Sequence, residues 1–366
     1  MGGQVKRIAF QLFSVAVALW MAGGCAHQAS RPRASAAPPP SSPIVDDTSS
    51  AQAAAHYESV GTDEAALFKR LEGRLRNVQR RQSDPTARVL HGKEHACRAV
   101  AFLPHKSRPA WTQQGFFAVD APSTGVVRLS SAGGAGTDDR DKGFHGVALK
   151  FTSQPGPRLE HDATTPQAQD FLFTNKPRGT APDIDTFVDL LEAGAEGKMA
   201  GFALRHPKTI ALLAAARGVP TSLATESYWS GAAFLMGVDA VRFKLAPCEA
   251  EPPPSHHDDD ADFLGAEFAA RVESADVCYV LYAQRFVDDN TTPIEHGTAL
   301  WDESEAPLTP LGRVVVVGGP DAAPDPPSCE GLSFSPWHAH PAHRPLGQLN
   351  RARRVLYRTS AAPRRR

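Results

Sequence analysis

The chain lacks an excess of charge of either sign and lacks a long apolar run, and each absence argues against a class of protein. Among its 366 residues, 39 basic residues balance 40 acidic ones for a formal net charge of −1. A chain without excess charge has no global field that would attract nucleic acid, so we expect no nucleic-acid partner. No apolar run reaches the roughly 20 residues that a membrane-spanning helix needs.

Motifs that identify common enzyme classes are missing as well. The cluster Gly133–Gly136 lacks the lysine of a phosphate-binding loop and predicts a turn. The serines, Ser222 among them, have no nucleophile-elbow motif around them. His256 and His257 in an acidic loop, and three histidines close to Trp337, have ligand chemistry for a divalent metal. A solvated loop and a structural role, respectively, are the better interpretations.

The N-terminus has the pattern of an export signal. Lys6 and Arg7 precede an apolar run over residues 8–21, which is too short to span a membrane. Small residues then lead to Cys25, as in bacterial lipoproteins, where this cysteine becomes the lipid-modified first residue. We expect residues 1–25 to be a lipoprotein signal peptide and the mature protein to be exported and lipid-anchored, facing the periplasm or the cell surface. An ordinary cleaved signal is the alternative.

A tether and one folded domain are expected after the signal. Residues 26–55 are rich in Ala, Pro and Ser and bury too little apolar surface to fold, so they predict a disordered tether. Residues 56–366 form the predicted folded domain. Four cysteines of this domain permit three disulfide connectivities in an exported protein, although buried thiols or a single bridge are the expectation. These cysteines are Cys97, Cys248, Cys278 and Cys329.

Apolar periodicity in the folded domain predicts an α+β fold. Short apolar runs bounded by turn residues predict strands. They lie at 99–103, 115–119, 126–129, 147–151, 171–173, 241–245, 277–287 and 314–317. Helical spacing predicts helices. They lie at 62–81, 184–191, 209–217, 263–272 and 346–358. Strands with helices grouped toward the C-terminal side favour an antiparallel sheet or barrel packed against helices.

Arg353 and Tyr357 lie four residues apart on the last predicted helix, so their side chains share one face. A free tyrosine, with a pKa of about 10, is a poor metal ligand while it is protonated. A neighbouring guanidinium keeps its charge and favours the phenolate form. Taken alone, such a pair is more often a surface ion pair or a partly buried tyrosine.

Five short segments, in this order, carry a family resemblance. They are Arg88–Lys93 with His91 inside it, Val127–Ser130, Gly146–Phe151, Asn175–Pro177 and Arg353–Tyr357. Together they resemble the motifs of the haem catalase superfamily over residues 88–358, with Glu94 where the family has glycine and Val147 where it has phenylalanine. The segments around Trp301 and Trp337 look more like the short, catalase-related branch of bacteria. This resemblance implies an antiparallel β-barrel core with C-terminal helices packed around haem.

The resemblance also implies a chemical role for the matching residues. Tyr357 would be the proximal ligand of the iron of haem b (iron protoporphyrin IX), with Arg353 holding it as the phenolate. His91 would move a proton between the two oxygens of the peroxide. Asn175 would hydrogen-bond the bound peroxide and orient it.

Other matching positions would hold the cofactor. Arg88 and Arg128 would pair with its propionates through charge-assisted hydrogen bonds. Val147 would pack on the haem face, and Ser130 would support His91 from behind. Arg364 stands at the spacing of a third propionate arginine, although the match in this basic tail is poor.

The implied activity is that of a haem-dependent catalase or peroxidase that decomposes hydrogen peroxide and protects against oxidative stress. Conversion of lipid or organic hydroperoxides is one alternative, and a non-catalytic haem-binding scaffold lipoprotein is another. Arg178 and Gly179 stand where large catalases pack aromatic residues on the haem, and the long extensions of those enzymes are missing. Their tetramer is therefore not implied, and oligomerisation is left open.

Overall fold

A computed structural model describes residues 47–365 apart from 83, 85, 90, 180, 250–259, 323–325 and 327. The predicted signal peptide with Cys25 and the first part of the predicted tether lie outside the described residues, and export with a lipid anchor stays a prediction. The tether prediction is wrong for residues 47–55, which belong to helix α1 (Asp47–Tyr57). Ala54 and Tyr57 are buried in an apolar cluster with Trp301, so α1 is part of the folded domain.

Eight antiparallel strands close into a barrel. The strands of the ring are β1 (Lys93–Pro104), β2 (Ser123–Ser131), β3 (His145–Phe151), β4 (Gln169–Thr174), β5 (Tyr228–Trp229), β7 (Asp239–Pro247), β8 (Val277–Arg285) and β9 (Leu308–Val316). They follow the order β4-β3-β2-β1-β9-β8-β7, and β5 closes the ring by pairing with both β4 and β7. A further strand, β6 (Phe234–Met236), pairs with β7 outside the ring. Closure pairs the edges that an open sheet would expose.

Six helices besides α1 occur among the described residues. They are α2 (Glu64–Arg81), α3 (Ile184–Glu196), α4 (Met199–Arg205), α5 (Pro207–Ala216), α6 (Phe263–Ser274) and α7 (Gly347–Ala361). Leu67, Leu71 and Leu75 form one apolar stripe of α2, because residues four apart share a helix face, and α2 packs against α7. The closed barrel and these helices confirm the predicted α+β class. Among the described residues, no helix has both the length and the apolar character needed to cross a membrane.

Strand alternation creates two apolar cores, one inside the barrel and one outside it. Leu129, Val147 and Phe173, on neighbouring strands, belong to the cluster inside the barrel. Leu172 belongs to the second cluster, which also contains Tyr357 and the apolar faces of α2, α3 and α7. Successive side chains of a strand point to opposite faces. The second core therefore holds α7, and with it Tyr357, against the outer wall of the barrel.

One predicted strand, 115–119, is wrong. Gly115–Ala118 form a short 3₁₀ helix instead, in which Gly115 has a φ of 49°, a left-handed conformation that favours glycine. The amide of Phe116 donates a hydrogen bond to Nε2 of His343 (3.0 Å) rather than to a neighbouring strand. Phe116 and Phe117 fill the barrel interior, which explains why this segment is as apolar as a strand.

The expectation of buried thiols or a single bridge is also wrong, because all four cysteines of the domain form disulfides. Cys97 on β1 is bonded to Cys329, 232 residues away. Cys248 is bonded to Cys278, 30 residues away, and so links the ends of the paired strands β7 and β8. The first bridge fixes the segment around residue 329 to the barrel wall.

Candidate functional site

Neighbouring strands align a row of residues on the outer wall of the barrel. Glu94 pairs with Ser130, Ser130 with Gly146, and Gly146 with Thr174. His91 lies just before β1, and its ring rests on Gly146. A Cβ atom added to Gly146 would lie 2.5 Å from Cε1 of His91, a distance that real contacts essentially never show. Glycine at this position therefore provides the space that the imidazole occupies.

The hydrogen bonds of His91 fix how its ring can act. Nδ1 lies 3.0 Å from the Ser130 hydroxyl oxygen, and that hydroxyl lies 3.5 Å from the Gly146 carbonyl oxygen, its acceptor. A hydroxyl that donates to Gly146 accepts from Nδ1–H, which leaves Nε2 as the unprotonated nitrogen. Nε2 is buried and has no hydrogen-bond partner among the described residues. Burial, reinforced by the charge of Arg128, lowers the pKa of His91 to about 3, so the ring is neutral at pH 7.

Arg128 on β2 holds His91 in position and is itself held by two carboxylates. Its Nη1 donates to the His91 carbonyl oxygen (3.0 Å). Its Nε donates to Glu94 (2.8 Å) and its Nη2 to Glu330 (2.8 Å). Arg88 binds the other oxygen of Glu330 through its Nε (3.1 Å). Glu330 could not be found from the sequence, because no motif surrounds it and the disulfide at the preceding residue brings it to this site from far along the chain.

Tyr357 and Arg353 lie on the buried face of α7. Burial raises the pKa of Tyr357 to about 12, although the charges of Arg353 and Arg88 oppose the rise. The Arg353 guanidinium is itself buried and donates to the Ser230 carbonyl oxygen (3.2 Å) and to Oδ1 of Asn350 (3.1 Å). Both acceptors are neutral oxygens, and the positive charge of Arg353 acts to lower the pKa of Tyr357 against the effect of burial.

A narrow cavity of about 50 Å³ brings most of the predicted site residues together. Its polar lining consists of Arg88, His91, Arg128, Ser130, Tyr357, Ser360 and Arg364. Its apolar lining consists of Val147, Ala148, Leu172, Phe173 and Phe334, with Gly146 between the two groups. Arg364, matched only poorly by sequence, also lines this cavity, and its role toward a cofactor stays a prediction.

Asn175 and Val147 are placed differently from the sequence-based expectation. Asn175 does not line the cavity; its Oδ1 accepts from the His145 amide (3.0 Å) and its Nδ2 donates to Glu226 (3.0 Å). Val147 borders the cavity, but its side chain belongs to the cluster inside the barrel. Ala148 packs against the outer cluster instead, so it is the residue of β3 that faces the helices.

The histidines near Trp337 are structural in this arrangement. His338 binds Asp170 (Nδ1–Oδ2, 2.8 Å) in a buried group that also contains Lys150. His343 accepts the Phe116 amide, as described above. Within the described residues, no group of three or more His, Cys, Asp or Glu side chains is arranged to hold a metal ion. The loop with His256 lies outside them.

Comparison with known proteins supports the fold. No family model and no curated protein matches the chain. A bacterial catalase structure is 18% identical, with a TM-score of 0.60, over 92% of this chain and 67% of that one. A fungal catalase is 17% identical (TM-score 0.56, 76% of this chain), and catalase A from Saccharomyces cerevisiae is 13% identical (TM-score 0.52, 76%). The matches span 58% of the fungal chain and 60% of the yeast chain. At these identities the likeness concerns the fold alone: the chain has the catalase fold.

Proposed function

We propose that this protein binds haem b in the cavity that His91 and Tyr357 line, and that it decomposes hydrogen peroxide there. One observation carries the proposal: a buried imidazole nitrogen that has no partner in the described part of the chain and a buried phenol beside a guanidinium line the same cavity. A structural histidine is normally satisfied by hydrogen bonds on both nitrogens. The Nε2 of His91 is therefore left for a bound molecule.

The residues of the cavity fit haem in their chemistry. Tyrosine is a known haem-iron ligand, and the nearby charges of Arg353 and Arg88 favour its phenolate. The apolar walls suit a macrocycle, and three arginines line the cavity for its carboxylates. A volume of about 50 Å³ is that of a few water molecules, so the walls must separate when a macrocycle binds.

The chain's own groups would perform the proton transfer. Haem iron would supply the Lewis-acid and redox chemistry that cleavage of the O–O bond requires. His91 would accept a proton at Nε2 from one peroxide oxygen and return it to the other, so that the bond breaks heterolytically. Ser130 would keep the proton on Nδ1 throughout, and Arg128 would hold the backbone of His91 in place. Leu172 and Phe334, which belong to the outer apolar cluster, would exclude water.

The test is reconstitution with ferric haem, followed by hydrogen peroxide. We expect an absorption spectrum typical of a phenolate ligand and release of oxygen, measured with an oxygen electrode. Tyr357→Phe should lose the phenolate spectrum, whereas Tyr282→Phe, a control on the barrel wall, should keep it. His91→Gln should keep the spectrum and lose about 10²- to 10⁴-fold in rate, the usual contribution of an acid–base group.

Each other outcome identifies a different function. A haem spectrum with turnover of an organic reductant but no oxygen would indicate a peroxidase. Conversion of a fatty-acid hydroperoxide without oxygen release would indicate that the protein acts on organic hydroperoxides and not on hydrogen peroxide. A haem spectrum without any peroxide turnover would indicate a haem-holding scaffold. A phenolate spectrum that persists in Tyr357→Phe would refute the ligand assignment.

A further inference from the structure

The two arginines that would receive the carboxylates of a porphyrin already hold carboxylates of the chain itself. Glu330 bridges them, with Oε2 on Nε of Arg88 (3.1 Å) and Oε1 on Nη2 of Arg128 (2.8 Å). Glu94 binds Arg128 from the other side (2.8 Å). The Glu330 carboxylate thus contacts the same two guanidiniums that a carboxylate of a bound porphyrin would contact, but it belongs to the protein itself.

The surroundings shift the pKa values of the two carboxyls, Glu94 and Glu330, in opposite directions. Burial raises the pKa of Glu94 above its usual range, although Arg128 opposes the rise. For Glu330, burial acts in the same direction, but the charges of Arg128 and Arg88 outweigh it and lower the pKa. The two guanidiniums therefore favour the ionised form of Glu330 more strongly than that of Glu94.

Glu330 is also the member of the group that can move. Its side chain is 47% exposed, compared with 22% for Glu94 and 3% for Arg128. Its backbone, by contrast, is fixed. The preceding Cys329 is bonded to β1, and Nη2 of Arg88 donates to three carbonyl oxygens of this segment. The side chain can thus rotate toward solvent while the backbone of the segment stays in place.

We infer that Glu330 is an internal substitute for a porphyrin carboxylate. It holds Arg88 and Arg128 in their binding positions in the cofactor-free protein, and it is displaced when a carboxylate of the cofactor binds. Glu330 therefore competes with the cofactor and sets the affinity of the site for dicarboxylate porphyrins. This inference rests on the proposed function and specifies how the same site is loaded.

The test compares two porphyrins that differ only in their carboxylates. Metal-free protoporphyrin IX and its dimethyl ester are titrated into the cofactor-free protein, and the Kd of each is measured by porphyrin fluorescence. Glu330→Gln removes the competing charge but keeps an oxygen that can accept from the arginines. We expect it to tighten binding of the diacid about tenfold, the gain of one charge-assisted contact, and to leave the ester unchanged.

Glu160→Gln is the matched control. Glu160 also bridges two arginines, Arg354 and Arg358 of α7, but it does not line the cavity. The ratio of the two Kd values should therefore be the same in this variant as in the wild type. Near-ultraviolet circular dichroism establishes that each variant is folded, and Glu330→Ser serves as a second variant that also removes the charge.

The outcomes separate this inference from the proposed function. If wild type and variants bind neither ferric haem nor metal-free porphyrin, the proposed function fails and this inference fails with it. If the wild type binds ferric haem but neither Glu330 variant changes the ratio of diacid to ester Kd, only the inference is overturned. A similar gain for both porphyrins would also overturn it, because it would indicate a wider cavity and not a removed competitor.

Discussion

At the scale of single residues, the position of His91 depends on an unusual backbone conformation and on the absence of a side chain next to it. His91 has a φ of 50°, in the left-handed region that residues other than glycine rarely adopt. Arg128 stabilises this conformation by donating to the His91 carbonyl oxygen. The ring then rests on Gly146, where even a methyl group would lie too close. Strained backbone of this kind is often found at functional sites.

We expect Gly146→Ala to displace the His91 ring while the barrel stays folded. The new methyl group would lie 2.5 Å from Cε1 and 2.7 Å from Nδ1 of His91, so the ring must move and its bond to Ser130 must lengthen. In the haem-loaded protein, peroxide turnover should fall at least about tenfold, which corresponds to about 1.4 kcal/mol of transition-state stabilisation.

The control for this variant is Gly134→Ala, because a Cβ atom at Gly134 would have open space around it, with no atom of the described residues within 4 Å. It should leave both turnover and the haem spectrum unchanged. Wild-type turnover in Gly146→Ala would contradict the position of the His91 ring against Gly146.

At the scale of elements, the two disulfides have different consequences for the site. Cys97–Cys329 closes a loop of 232 residues and holds the segment of Glu330 against β1. Cys248–Cys278 closes a loop of 30 residues between two strands that already pair along their length. Only the first bridge therefore connects the site to a distant part of the chain.

Replacing each bridge by serines should show this difference. Chain entropy predicts a loss of about 5 kcal/mol in the free energy of unfolding for Cys97→Ser with Cys329→Ser, and about 4 kcal/mol for Cys248→Ser with Cys278→Ser. Urea denaturation measures both losses. We also expect only the first pair to change the Kd of protoporphyrin, because it releases the backbone of the Glu330 segment. Equal porphyrin affinities in the two double variants would contradict this role of the bridge.

Periodicity predicted the elements that are long and regular, and failed where tertiary contacts decide the local structure. The helix expected at 62–81 occurs at Glu64–Arg81, because Leu67, Leu71 and Leu75 recur at helical spacing along it. The run at 115–119 is as apolar as a strand, but it forms a 3₁₀ helix. Its side chains are apolar because they are buried inside the barrel. The two-residue strand β5 is too short to produce any periodic pattern.

The site, too, could be predicted only where local sequence decides a residue's place, and not where tertiary contacts do. The residues His91, Arg128 and Tyr357 carry motif patterns, and the structure places all of them on one cavity. Asn175 also belongs to a motif, but its side-chain amide donates to Glu226, a contact that the motif does not predict. Glu330 has no pattern at all, because its place depends on a disulfide across 232 residues.

At the scale of the whole molecule, the closed barrel and the helices outside it bury five neutral histidines. Burial lowers the pKa of His91, His95 and His343 to about 3 and that of His340 to about 4, and it holds the pKa of His145 well below the usual range. Each of these rings is neutral in the folded protein at pH values where the unfolded chain would protonate it. The fold therefore carries a stability cost that depends on pH.

We expect the cofactor-free protein to lose stability steeply as the pH falls below about 6.5, the ordinary pKa of histidine. Above that value both states are neutral and the histidines contribute nothing to the pH dependence. Below it the unfolded chain binds protons that the folded protein does not bind. One pH unit below that value, this lowers the free energy of unfolding by about 1 kcal/mol for each buried histidine. Urea midpoints measured between pH 7.5 and pH 5, above the range of ordinary carboxylates, should show the loss.

His95→Gln, which keeps a hydrogen-bonding group beside Ser131, should reduce the total loss by about one fifth, because it removes one of the five buried histidines. His161→Gln, at an exposed position, should leave the profile unchanged. A flat wild-type profile would mean that these rings reach water in solution, and the closed barrel with its tightly packed outer core would then be the wrong description of the molecule.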